Sequence, residues 1–170
     1  RKVPMLPPEV SNRKGSLIPH EERAALSLLA RVTESGEVLD WEVASSVIRS
    51  QDALSYEEAD RAVDDADHPW HRALSAMYRI ATSLGRRRTE TGAITLDRPE
   101  MSITVTESGW VNVKVVPRST PARTIVSELM VLCNSLLAQF CRDRDIPAPY
   151  RSQAIPDLGE LDGVPEGPLR

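Results

Sequence analysis

The chain has 170 residues, 41% of them hydrophobic and 27% charged, with a formal net charge of −4. That balance suits one globular domain with a sizeable core, and no apolar run approaching ~20 residues or signal-peptide pattern marks a membrane or secreted protein. Acids outnumber bases, so composition by itself argues against a nucleic-acid binder, whose affinity comes largely from Lys and Arg neutralising phosphates.

The first residue is Arg1 rather than Met, which reads as a processed product or a piece of something longer. Residues 1–23 are Pro-rich, and Pro4, Pro7, Pro8 and Pro19 interrupt any helix or central strand. Residues 24–33 and 38–50 read as two strands, joined by the hairpin turn Glu34-Ser35-Gly36-Glu37. Val38, Trp41, Val43, Val47 and Ile48 favour strand over helix. Ser55-Tyr56-Glu57-Glu58 is a capping box that opens a short acidic helix running to about Asp65. His68-Pro69 breaks it, and residues 70–88 predict a second helix. Trp70, Ala73, Leu74, Met77, Ile80, Ala81 and Leu84 fall on one face of that helix.

A second hairpin follows, with strands at 102–106 and 110–116 around Glu107-Ser108-Gly109. Thr120 is placed to cap a long helix over 120–145, with Pro121 at its first position. Periodicity gives this helix one buried face, carrying Ser127, Glu128 and Asn134 among large apolar residues. Polar groups placed there cost free energy unless something bonds them. Past Ile155 the sequence turns to Pro, Gly and acids, a tail or linker over 156–170. The fold class is α/β (α+β): two β-hairpins flank a helical pair, with one long helix behind.

The titratable clusters read as structural. Asp60, Asp64, Asp65 and Asp67 lie on a capped amphipathic helix and read as a solvated acidic face. His68 and His71 have no third partner of the kind a zinc site needs. Cys133 and Cys141 lie eight residues apart on one helix, ~12 Å along its axis, so they cannot bridge without unwinding it. Unpaired thiols fit a reducing, cytoplasmic setting. Arg86-Arg87-Arg88 reads as a helix end whose cations complement the dipole.

Six segments in order carry a family resemblance. These are Pro4-Met5-Leu6-Pro7 with Glu9-Val10-Ser11-Asn12; Glu21-Glu22-Arg23-Ala24-Ala25-Leu26-Ser27; Ser46-Val47-Ile48-Arg49-Ser50; Leu54-Ser55-Tyr56-Glu57-Glu58; Arg86-Arg87-Arg88 with Gly92-Ala93 and Asp97-Arg98-Pro99-Glu100; and the long helix followed by Ile146-Pro147-Ala148-Pro149-Tyr150-Arg151. Over residues 4 to about 152 this resembles the ribonuclease II (RNB) family of 3′-to-5′ exoribonucleases.

The resemblance implies that residues 1–155 are the central part of an RNB-like catalytic domain. It implies metal-dependent hydrolysis of single-stranded RNA to nucleoside 5′-monophosphates, in the cytoplasm, by a monomer with no membrane attachment. The family's catalytic aspartates precede this point and its arginine follows it, so neither a catalytic residue nor a ligand for Mg²⁺ is expected here, and the isolated piece is expected to be inactive. The piece would line the RNA channel and pack against the remaining segments of the same domain. Ser127 and Glu128 take the place of two adjacent glutamates near the terminal ribose, Thr95 stands where some members stack an aromatic, and Arg123 and Asn134 support the helix. The alternative is a non-catalytic RNB-like module that binds RNA or a protein.

Overall fold

Alternation between apolar and polar side chains builds a long hairpin first, from β1 (Glu22–Val32) and β2 (Val38–Arg49). In the computed structural model, which describes residues 5–93, 100–106, 108–117 and 119–151, these strands pair antiparallel from Glu22↔Arg49 to Ala30↔Trp41. The register then slips at Arg31/Val32, and the turn closes with Thr33 N–H donating to Glu37 O at 2.9 Å. Gly36 is buried at the tip with φ 79°, and a Cβ there would lie 3.1 Å from the Leu84 nitrogen. Both the backbone angle and the contact demand glycine. Ser83 Oγ donates to Glu34 O at 2.7 Å and fixes the tip on the second helix.

The prolines do not exclude helix near the start. Val10–Lys14 makes one wide turn in which Gly15 N–H reaches Val10 O at 2.7 Å, and Pro7 and Pro8 precede it, where the missing N–H costs nothing.

Helix α1 (Tyr56–Asp64) begins with the capping box intact: Glu58 N–H donates to Ser55 Oγ at 3.2 Å, and Ser55 N–H donates to Glu58 Oε2 at 2.8 Å. The Ser55 N–H, then its hydroxyl, holds the Glu58 carboxyl below the usual glutamate range. Helix α2 (His71–Glu90) follows the break at Pro69. Strands β3 (Glu100–Val105) and β4 (Val111–Val116) form a second antiparallel sheet, and α3 (Pro121–Asp143) completes the order. Among the described residues, the expected α/β (α+β) arrangement of two hairpins, a helical pair and one long helix is the one observed.

The three helices pack on one another around Val63, Ala81 and Ile125, with Leu74, Tyr78 and Leu129 against them. Two sequence expectations change here. Thr120 sits at the N-cap of α3, but its hydroxyl makes no cap bond and, among the described residues, is buried without a partner. The amide of Ala122 donates instead to Asp60 Oδ1 at 2.8 Å, so a carboxylate of α1 caps α3 across 62 residues. Asp60 is therefore half-buried and engaged rather than part of a solvated face. The second change concerns α3, which is long and apolar enough to cross a membrane by length and composition alone, with mean hydropathy 1.5. Between Arg123 and Arg142 it carries a single charged residue, Glu128. Its packing against α1 and α2 is that of a helix in a bundle.

Candidate nucleic-acid interface

The polar residues of α3 do not share one face. Glu128 is 9% exposed and points between α2 and α3, whereas Ser127 and Asn134 are exposed. At ~100° per residue, a seven-residue spacing puts Ser127 and Asn134 on one stripe and Glu128 a quarter-turn away. The expectation that all three are embedded in a buried face is thus corrected. Apolar residues run most of the way round α3, with Val126 and Met130 left 41% and 59% exposed, so periodicity could not say which side faced inward.

Glu128 finds its partner in α2. Arg88 Nη2 donates to Glu128 Oε1 at 2.6 Å, and Arg88 Nε donates to Oε2 at 3.3 Å. The Arg88 pKa is raised first by this hydrogen bond, against the opposing effect of burial, so the guanidinium stays charged. Gly85, one turn earlier on α2, lies directly beneath: a Cβ there would sit 3.3 Å from Glu128 Cδ and 3.4 Å from Oε1. Both Glu128 oxygens are accounted for inside the protein.

Ser127 Oγ donates to Thr124 O at 3.2 Å, which leaves its oxygen lone pairs directed away from the helix as acceptors. Asn134 lines a groove of ≈ 570 Å³ between α3 and the segment Ala148, Pro149, Tyr150, Arg151. Tyr150 Oη donates to Ala138 O at 3.3 Å and anchors that segment on the helix. Arg123 lies 4.7 Å from the centroid of the Tyr56 ring, joining the start of α3 to the start of α1. Thr95 lies outside the described residues. Sequence reasoning left Arg88 and Gly85 out of the site, because nothing local connects a helix end to a glutamate 40 residues away.

The described residues do not fit a Mg²⁺ site. Among them no three His, Cys, Asp or Glu side chains come together. Asp60 is committed to Ala122, while Asp64, Asp65 and Asp67 are exposed on the surface. His68 Nδ1 accepts from the Trp70 N–H at 3.2 Å, and His71 Nδ1 lies 3.2 Å from Ala62 O. Cys133 and Cys141 are free and half-buried.

Comparison with known proteins places this geometry in a family. The RNB domain matches residues 1–166. The chain belongs to the RNB family. An uncharacterized ribonuclease of Synechocystis sp. is 31% identical over 173 residues, covering 99% of this chain and 25% of the relative. Ribonuclease R of Chlamydia pneumoniae is 26% identical over 156 residues, covering 91% of this chain and 23% of the relative. Among solved structures, Mycoplasma genitalium RNase R in complex with ribose-methylated single-stranded RNA superposes with TM-score 0.82 at 23% identity, over 94% of this chain and 26% of that one. That likeness is one of fold. The chain spans about a quarter of the length of the curated relatives it matches.

Proposed function

We propose that this RNB chain is the central part of the catalytic domain of a 3′-to-5′ exoribonuclease that hydrolyses single-stranded RNA to nucleoside 5′-monophosphates, and that α3 forms part of its RNA-channel wall. The observation that carries the reading is the division of α3: Glu128 is locked inward on Arg88, while Ser127 and Asn134 stand on an open stripe beside a groove. A seryl oxygen whose proton is already given to the backbone is suited to accept a bond from a ribose 2′-OH, a group that DNA lacks. Asn134 adds an amide donor and acceptor at the groove, Arg123 supports the start of the helix, and Thr95 belongs near the terminal bases. Glu128, with both oxygens engaged, supports the wall from behind rather than bonding the ribose.

The chemistry itself belongs to other segments of the parent protein, which hold the metal, Mg²⁺ by family resemblance, and the charge-neutralising arginine. Those segments also cover the apolar side chains left open on α3 and on the β3–β4 hairpin. The whole protein acts as a cytoplasmic monomer. The test is stepwise shortening, from the 3′ end, of 5′-labelled RNA by the parent protein, with a matching DNA strand as competitor. Ser127→Ala is expected to lower RNA-over-DNA preference by the net worth of one hydrogen bond, about 0.5–1.5 kcal/mol. RNA binding without hydrolysis by the parent would instead establish a non-catalytic RNB module.

A further inference from the structure

A glutamate buried between two helices, a guanidinium that meets both of its oxygens, and a glycine where a Cβ would press on the carboxylate form a single device. Gly85 is otherwise unfavourable: glycine weakens a helix interior, and this one is not in the left-handed region. Its missing Cβ is the space the Glu128 carboxylate occupies. Beyond the packing of the inner face, a two-point contact to a planar fork restrains rotation of α3 against α2 as well as distance, which a monodentate contact does less well. Ala122, Ile125 and Leu129 pack the inner side of this stretch, while Val126, Met130 and Val131 are exposed, so the ion pair adds a polar restraint to the apolar one.

We propose that Gly85, Arg88 and Glu128 form a rotational lock: Arg88 and Glu128 are positioning residues that set the angle of α3, and thereby aim Ser127 and Asn134 at the RNA. The inference rests on the channel-wall reading of Ser127 and adds what holds that wall in register. Ser127 is the residue adjacent to Glu128, so any turn of α3 that loosens the carboxylate swings the seryl oxygen by the same angle. Arg88→Lys keeps the charge but offers one ammonium in place of a fork. Gly85→Ala keeps both charges and forces the carboxylate aside by a few tenths of an ångström. The two variants act by different means, so failure of one to fold leaves the other.

The experiment uses the full parent protein with a chelator present, and measures dissociation constants for a short single-stranded RNA and the matching DNA, alongside thermal melting. Each lock variant is expected to lower the RNA-to-DNA affinity ratio about three- to tenfold, and to lower it no further when Ser127→Ala is already present, the non-additivity of residues acting through one another. A purely structural role would lower the melting temperature and move both affinities together, with the ratio unchanged. An unchanged ratio in both variants, or a loss that adds in full to that of Ser127→Ala, overturns the lock. Ser127→Ala with no effect on the ratio has a different signature: it overturns the channel-wall reading, and the lock's purpose with it.

Discussion

The helical side of this chain and its β3–β4 side are built on opposite terms. Where α1, α2 and α3 meet, Ile125 packs with Val63 and Ala81, Asp60 caps α3, and Arg88 clasps Glu128. The β3–β4 hairpin sets Met101, Ile103 and Val105 directly across from Val115, Val113 and Val111, so all six share one face, and each is 52–69% exposed. Lys114 on the other face reaches Glu57 of α1 at 3.5 Å, an exposed pair of the kind that contributes little. An isolated two-stranded hairpin is marginal in water. The helices share a buried core, whereas the second hairpin leaves its apolar face open among the described residues.

Ile125→Ala strikes the helical side at its centre and should cost about 2–4 kcal/mol in urea unfolding, the range for a large-to-small core change. Ile125 is 6% exposed and touches both other helices' core residues, so a cost below that range would mean the three helices do not share one core. Asp60→Ala should cost about 1 kcal/mol, the usual worth of a cap. If stability is unchanged, the Ala122 amide has another acceptor and the tie between α1 and α3 is weaker than drawn. Ile103→Ala sharpens the contrast from the other side. In the 170-residue chain it should change stability by less than about 0.5 kcal/mol, as an exposed substitution does. In the whole parent protein it should cost about 2 kcal/mol if the face is covered there. Equal values in the two settings would erase the difference between the regions.

What could be read from sequence divides along the same line. The capping box at Ser55, the turn at Gly36 and the alternation of both hairpins are encoded within a few residues, and each was placed to within two or three positions of where it forms. Spacing puts Leu74, Met77 and Ala81 on one face of α2 but does not say how deeply each is buried: Leu74 and Ala81 pack in the core while Met77 is 43% exposed. The candidate site was legible as a set of residues on α3 but not as an arrangement. The seven-residue interval between Ser127 and Asn134 fixed their shared side, yet which side faced water depended on Arg88 and Gly85. Asp60 was misjudged for a related reason: a carboxylate on a capped helix looks solvated until its partner, 62 residues on, is known.

Those long separations have a kinetic meaning. Hairpins and a capped helix close on contacts of short range, in microseconds. The Asp60 and Arg88 contacts require loops of 62 and 40 residues to close, and non-local closures of that kind are what slow a folding chain. The Thr120 hydroxyl marks the same point: it does not cap α3, and the side-chain acceptor for the Ala122 amide comes from α1. The start of α3 is thereby completed from outside the helix, by a side chain that α1 supplies.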